Sequence, residues 1–122
     1  MAATDAVLNG DVVNAFCAVR PPGHHAERGL AMGFCFFNNL AVGVAHALEV
    51  HGLKRVAIVD FDVHHGNGTE DRIFRDDKRV MFCSSFQYPF LSLFTSGGKG
   101  MRRIIHTPLE SGTDGCSLSS LD

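Results

Sequence analysis

Residues 55–59 read Arg-Val-Ala-Ile-Val, and Asp60-Phe61-Asp62-Val63-His64-His65-Gly66-Asn67-Gly68 follows at once. An apolar, β-branched run of this kind is the mark of a strand buried on both faces of a parallel sheet. This one ends in two carboxylates and two imidazoles. Unpaired buried charge is costly, so these groups must be paired, neutralised or bound to a cation. On an extended chain, residues two apart point the same way, roughly 6.6 Å apart. Asp60, Asp62 and His64 are therefore expected on one face, with Phe61 and Val63 packing on the other. A carboxylate and an imidazole so placed can converge on one ion, because zinc takes both at about 2.0–2.2 Å. An acidic pair satisfied by backbone amides is the competing reading, and this stretch alone leaves both open. Gly66 and Gly68 are expected to let the backbone turn sharply.

A second stretch raises the metal reading. Asn14–Val19 is predicted as a short strand that breaks into Arg20-Pro21-Pro22-Gly23-His24-His25-Ala26-Glu27. Two prolines and a glycine make this a loop of fixed shape, and two adjacent histidines follow directly. Before it, residues 1–10 read as the end of a helix, with Thr4 as a cap and Gly10 as a stop. After Gly33-Phe34-Cys35-Phe36-Phe37, an asparagine at 38 or 39 is placed to cap a helix. Phe37, Leu40, Ala41, Val44, Ala45 and Leu48 recur at helical spacing, and Gly52 follows the last turn. A strand is expected over Arg55–Asp60, a short helix over Thr69–Phe74, and strands over Arg79–Ser84 and Arg103–His106. Gln87–Gly100 reads as a long loop, and 111–115 as a turn.

Alternating strands and helices predict an α/β fold with a parallel sheet. Ligands in such sheets sit beyond the carboxyl ends of the strands, where the loops 20–28 and 61–68 both lie. The chain of 122 residues, 45% hydrophobic, suffices for one small packed domain. Its formal charge of -2 and the lack of a basic run speak against nucleic acid as a partner. No apolar segment is long enough to span a membrane, and no signal-peptide pattern opens the chain. Cys17, Cys35 and Cys83 lie in apolar runs and read as buried thiols; no two cysteines have C-x-x-C spacing. A reducing cytoplasm is the expected compartment.

These side chains form a set suited to metal-assisted hydrolysis of an amide. Asp62 and His64 would hold the ion, His24 and His25 would act as acid and base, and Asp60 would stand behind one of them. Each part also has an inert reading. The tandem histidines could be idle loop residues, Asp60 a sheet-end acceptor, and His65 a partner of the backbone. The phenylalanines of 34–37 could be core. His46, His51 and His106 receive no role.

Arg20-Pro-Pro-Gly-His-His-Ala26, Gly33-Phe-Cys-Phe-Phe-Asn-Asn39 and Val59-Asp-Phe-Asp-Val-His-His-Gly-Asn-Gly-Thr69 together resemble the zinc-dependent histone deacetylase family, which includes acetylpolyamine and acetoin-utilisation relatives. The motifs stand in the family's order and at about its spacing, and the resemblance covers nearly the whole chain. The resemblance implies an arginase-like fold of a parallel sheet between helices, and hydrolysis of an N-acetyl amide on acetyl-lysine or an acetylated polyamine. It implies Asp62 and His64 as two of three ligands to one zinc. His25 becomes the general base and His24 its electrostatic or acid partner. Asp60 would back His24, and Asn67 would support His25. Gly33 and Phe34 match the wall of the acyl-lysine tunnel. Asp60, Asp62, His64 and Ser84 match in part a potassium site.

Gly66 stands where a binuclear manganese relative of arginase type has a carboxylate, which favours one zinc. The third zinc ligand of the family, a later aspartate, and its Gly-Gly-Tyr segment have no counterpart. Tyr88 lies in a different context, and Asp114 falls in a turn resembling a non-ligand segment. The chain is therefore expected to be an internal part of a deacetylase domain, spanning 1–122, inactive and aggregation-prone alone. Two alternatives remain: a non-catalytic relative acting as a binding module, and a binuclear ureohydrolase-type hydrolase.

Overall fold

The computed structural model describes residues 1–70, 77–88 and 104–110. Helix α1 spans Ala2–Leu8 and helix α2 Asn39–Glu49. Strand β1 covers Val56–Asp60, the short helix α3 Asn67–Glu70, strand β2 Val80–Tyr88 and strand β3 Ile104–Glu110. The strands form one parallel sheet in the order β1-β2-β3. Its register pairs Asp60 with Ser84 and Ser84 with His106. The α/β class and parallel sheet expected from the alternation of elements are thus present.

Helix α2 forms where the spacing put it, but Leu40 and Ala45, expected on its apolar face, are exposed, and Ala47 is buried instead. Asn38 is the cap, its Oδ1 accepting from the Ala41 amide at 2.9 Å, and Gly52 takes a left-handed φ of 68° beyond the last turn. Ala41, Val44 and Leu48 project from one face and pack on Ile58, Val80 and Phe82 of the sheet, with Leu53 and Val56 at the margin. The period-2 alternation along β2 buries Val80, Phe82, Ser84 and Phe86 on this side.

Several expectations need correction. Strand β1 is not buried on both faces: Ile58 is covered, but Val59 is 67% exposed. Among the described residues a helix lies against only one face of the sheet, and a parallel sheet dries out on both faces only when helices cover both. No strand forms over 14–19. Val13 and Phe16 are 94% and 93% exposed, and no described strand offers this segment a ladder. Cys17 is accordingly exposed, Cys35 buried and Cys83 half-buried. Thr4 is not a cap, because α1 already begins at Ala2 behind Met1. Phe37 precedes the cap of α2 and is exposed, as are Phe34 and Phe36, so these rings are not core. Helix α3 starts two residues before the expected Thr69, at Asn67, and β2 runs on to Tyr88. Residues 89–100, 111–115, Asp114 and Cys116 lie outside the described residues. No described helix is long and apolar enough to cross a membrane.

Candidate active site

Strand β1 stops at Asp60, and the chain beyond it folds through side-chain hydrogen bonds. Asp60 Oδ1 accepts from the Asp62 amide at 3.1 Å, and Asp62 Oδ1 accepts from the His64 amide at 2.8 Å. Two successive aspartates thus turn the chain by bonding backbone two residues on. The simple strand alternation expected for 60, 62 and 64 does not hold. Asp60 turns to His24, while Asp62 turns to His64, whose Nδ1 lies 3.0 Å from Asp62 Oδ1.

The two histidines of the Pro-Pro-Gly loop each find a different partner. His24 Nδ1 lies 2.9 Å from Asp60 Oδ2, with both side chains buried. His25 Nδ1 lies 2.8 Å from Asn67 Oδ1. The rings are 4.0 Å apart between centroids, and the ring of His25 is 6.1 Å from that of His64. The site is thus one cluster, drawn from the loop before α2 and the loop after β1. Asn67 is itself oriented: its Nδ2 donates to Glu27 Oε1 at 3.1 Å and contacts Met32 Sδ at 3.2 Å. An amide whose NH2 is so engaged presents its oxygen to His25, which places the ring proton on Nδ1 and leaves Nε2 with a lone pair.

Electrostatics differ sharply between the neighbours. Burial pulls the His24 imidazole down, but its bond to Asp60 and the charges of Asp60 and Asp62 outweigh burial and hold it above the ordinary histidine range. For His25 burial wins: the Asn67 bond raises it, His24 and His64 lower it further, and the ring sits below the ordinary range. Burial pushes Asp62 up, yet the backbone and ring of His64, with the charge of His24, leave it below the usual carboxylate range. Two adjacent imidazoles pushed apart in this way suit one to carry a proton and the other to accept one.

Close approach explains the glycines. A Cβ at Gly66 would stand 2.3 Å from Asp60 Oδ2, and one at Gly68 would stand 2.3 Å from the Ala26 carbonyl oxygen. Neither has a positive φ, so the sharp-turn reason is replaced by a steric one. Gly33 has both constraints, with φ 55° and a Cβ that would lie 2.2 Å from His25 Cδ2. The next residue, Phe34, is held at φ 64° with its ring 94% exposed. A bulky residue in this region is strained. The bridge between Met32 and Cys35 holds it there, and the buried Cys35 Sγ accepts from the Gly23 amide at 3.1 Å. The structure therefore sets Gly33 against the histidines and Phe34 outward beside them.

Ser84, at the sheet position beside Asp60, is buried, and its Oγ has no hydrogen-bond partner among the described residues. His65 is buried too. Its Nε2 lies 2.6 Å from Glu70 Oε2 and its ring 4.6 Å from that of Phe86, so it ties the loop to α3 and β2. Sequence reasoning missed Glu27 and Glu70, which pair with Asn67 and His65. It also missed a second cluster, Asp5, His46 and His51. The only trace of that cluster in the sequence is a pair of histidines bracketing the end of α2.

Comparison with known proteins adds independent weight. The pattern of the histone deacetylase domain matches residues 1–120. The chain belongs to the histone deacetylase family. It is 52% identical to human polyamine deacetylase HDAC10 over 84 residues, 69% of this chain and 12% of that protein. Against a probable deacetylase of Archaeoglobus fulgidus it is 43% identical over 116 residues, 91% of this chain and 32% of the relative. The crystal structure of the HDA15 HD domain superimposes with a TM-score of 0.76 at 38% identity, covering 88% of this chain and 32% of that one. The chain thus spans about a third or less of these histone deacetylase relatives.

Proposed function

We propose that residues 1–122 are part of a deacetylase catalytic domain, with the three-layer arginase-like fold, that hydrolyses an N-acetyl amide in a zinc-dependent reaction. The observation that carries this reading is the divided support of the tandem histidines, His24 on Asp60 and His25 on Asn67.

Asp62 and His64 would hold the zinc. Their facing donor atoms, Oδ1 and Nδ1, are 3.0 Å apart, a separation that one ion at about 2.0–2.2 Å from each can bridge. Bound there, zinc supplies Lewis-acid polarisation of the amide carbonyl and lowers the pKa of water. His25, lowered by burial and locked by Asn67, accepts the proton of the attacking water at Nε2. His24, whose bond to Asp60 favours its charged form, stands beside it to stabilise negative charge developing on the substrate. Gly33 and Phe34 would line the channel for the acylated side chain. The partnerless Ser84 Oγ suits a neighbouring potassium, shared with Asp60, Asp62 and His64. The substrate would be acetyl-lysine in a protein or an acetylated polyamine, met in the cytoplasm. Asp62 and His64 are two of the three protein ligands a catalytic zinc uses, so the 122-residue chain alone should turn over poorly.

Turnover of an acetyl-lysine peptide and of an acetylated polyamine by the complete polypeptide tests the reading. His25→Ala should lower kcat by about 10²–10⁴, the usual worth of a positioned base, and chelation should abolish activity. Full activity in either case would end the proposal.

A further inference from the structure

Asp5, His46 and His51 come from three pieces of chain: α1, the end of α2, and the turn beyond it. His46 Nε2 stands 2.5 Å from Asp5 Oδ1, and His51 Nε2 stands 2.8 Å from the same atom. The two rings meet edge-on, 5.3 Å apart. All three donor atoms lie within 4.8 Å of one another, and no other trio of metal-capable side chains is so close among the described residues. The packing of the helices permits this: a Cβ on Gly43 of α2 would already stand 3.4 Å from Thr4 Oγ1 of α1. The imidazoles are mostly buried, at 16% and 19% exposure, while the carboxylate is 41% exposed. The cluster is therefore anchored on its protein side and open to water on the other.

We propose that Asp5, His46 and His51 form a separate binding site for a divalent cation of the zinc class, which pins α1 to α2. Two imidazole nitrogens and a carboxylate oxygen are a donor set that zinc accepts at about 2.0–2.2 Å. Around a tetrahedral ion, donors at that distance stand ~3.4 Å apart. The present Nε2–Oδ1 spacings of 2.5 and 2.8 Å are shorter than that, so the exposed Asp5 carboxylate must shift outward to admit the ion. The ion takes the place of the imidazole protons that now face the carboxylate, and water fills the open side. Imidazole suits zinc, copper and nickel, whereas magnesium and calcium prefer oxygen alone, which sets the class. Hydrogen bonds from both histidines already hold the Asp5 carboxyl below its ordinary range, so this ligand is ionised at neutral pH. The site shares no residue with Asp62 and His64, and it stands whether or not those two bind metal.

Zinc titration of the complete polypeptide carrying Asp62→Ala and His64→Ala tests this. One equivalent should bind at micromolar affinity or tighter and raise the thermal midpoint by several degrees. Cobalt in its place should show visible d–d absorption. Adding His46→Gln and His51→Gln should remove the equivalent, the absorption and the shift, with circular dichroism unchanged. Should the double-alanine background not fold, zinc content is read in the otherwise unmodified protein, where the two glutamine substitutions should lower it by one per chain. Binding only at millimolar zinc, or zinc content indifferent to the glutamine substitutions, would overturn the proposal.

Discussion

At Gly66 there is room for a hydrogen and little else. A methyl group there would lie 2.3 Å from Asp60 Oδ2 and 3.2 Å from His24 Nδ1. Gly66→Ala is therefore predicted to push the Asp60 carboxylate off His24. Overpacking of this kind costs about 1–3 kcal/mol, and loss of the His24 support should lower turnover by the complete polypeptide at least tenfold. Denaturant melts and kcat measure the two effects, and an alanine variant matching the parent in both would refute the contact. Gly33→Ala should be worse, since its Cβ meets the ring of His25 and its φ of 55° is itself hostile to a side chain. At this scale much of the site was legible. Two tandem histidines, and acids at a strand end, are residue types with few inert uses in such a place, and the structure brings them together. The steric reason for Gly66 was not legible, because it depends on how the loop after β1 folds back on the Asp60 carboxylate. Nor was the pairing of His65 with Glu70, because Glu70 carries no pattern of its own.

Among the elements, Asn38 joins more than its own helix. Its Oδ1 caps α2 through the Ala41 amide, and its Nδ2 donates to the Thr69 hydroxyl at 3.0 Å. Thr69 is fully buried, and its amide donates to the carbonyl of His24. One side chain thus links the start of α2, helix α3 and the histidine loop. Asn38→Ala is predicted to lose a cap worth about 1 kcal/mol and to strand a buried hydroxyl, which costs about 1–3 kcal/mol more. Asn38→Ser keeps the cap alone and should recover part of the loss. Replacing Thr69 by valine in the alanine background should recover the remainder, because both partners are then gone. Chemical denaturation of these three variants and of Thr69→Val alone decides the matter, and additive effects at 38 and 69 would contradict the coupling. Helix α2 was legible because its apolar period and its cap agree. The segment 14–19 was misread because Phe16 and Val19 express a propensity that only a neighbouring strand can realise.

For the molecule as a whole, the sheet is the telling feature. Helix α2 dries one face, while Val59 and Met81 on the strands and Phe61 just beyond β1 stay exposed, as do Val13 and Phe16. Apolar run and parallel order were both readable in the sequence, but burial of the second face was not, since it depends on chain that packs from elsewhere. Exposed large hydrophobics scattered singly mean little, whereas several on one sheet and its flanks make a surface that water leaves readily. The 122-residue chain on its own is therefore predicted to self-associate and to bind a hydrophobic dye. Light scattering against concentration measures the first, and dye fluorescence the second. Substituting Val59 and Met81 by lysine puts charge on the same face without touching the residues that pack on α2, because side chains alternate along each strand. That pair should suppress association while leaving the far-ultraviolet spectrum intact. If the unsubstituted chain instead runs as a dye-silent monomer, the second face is covered by residues of the chain itself, and the open-sheet description is wrong.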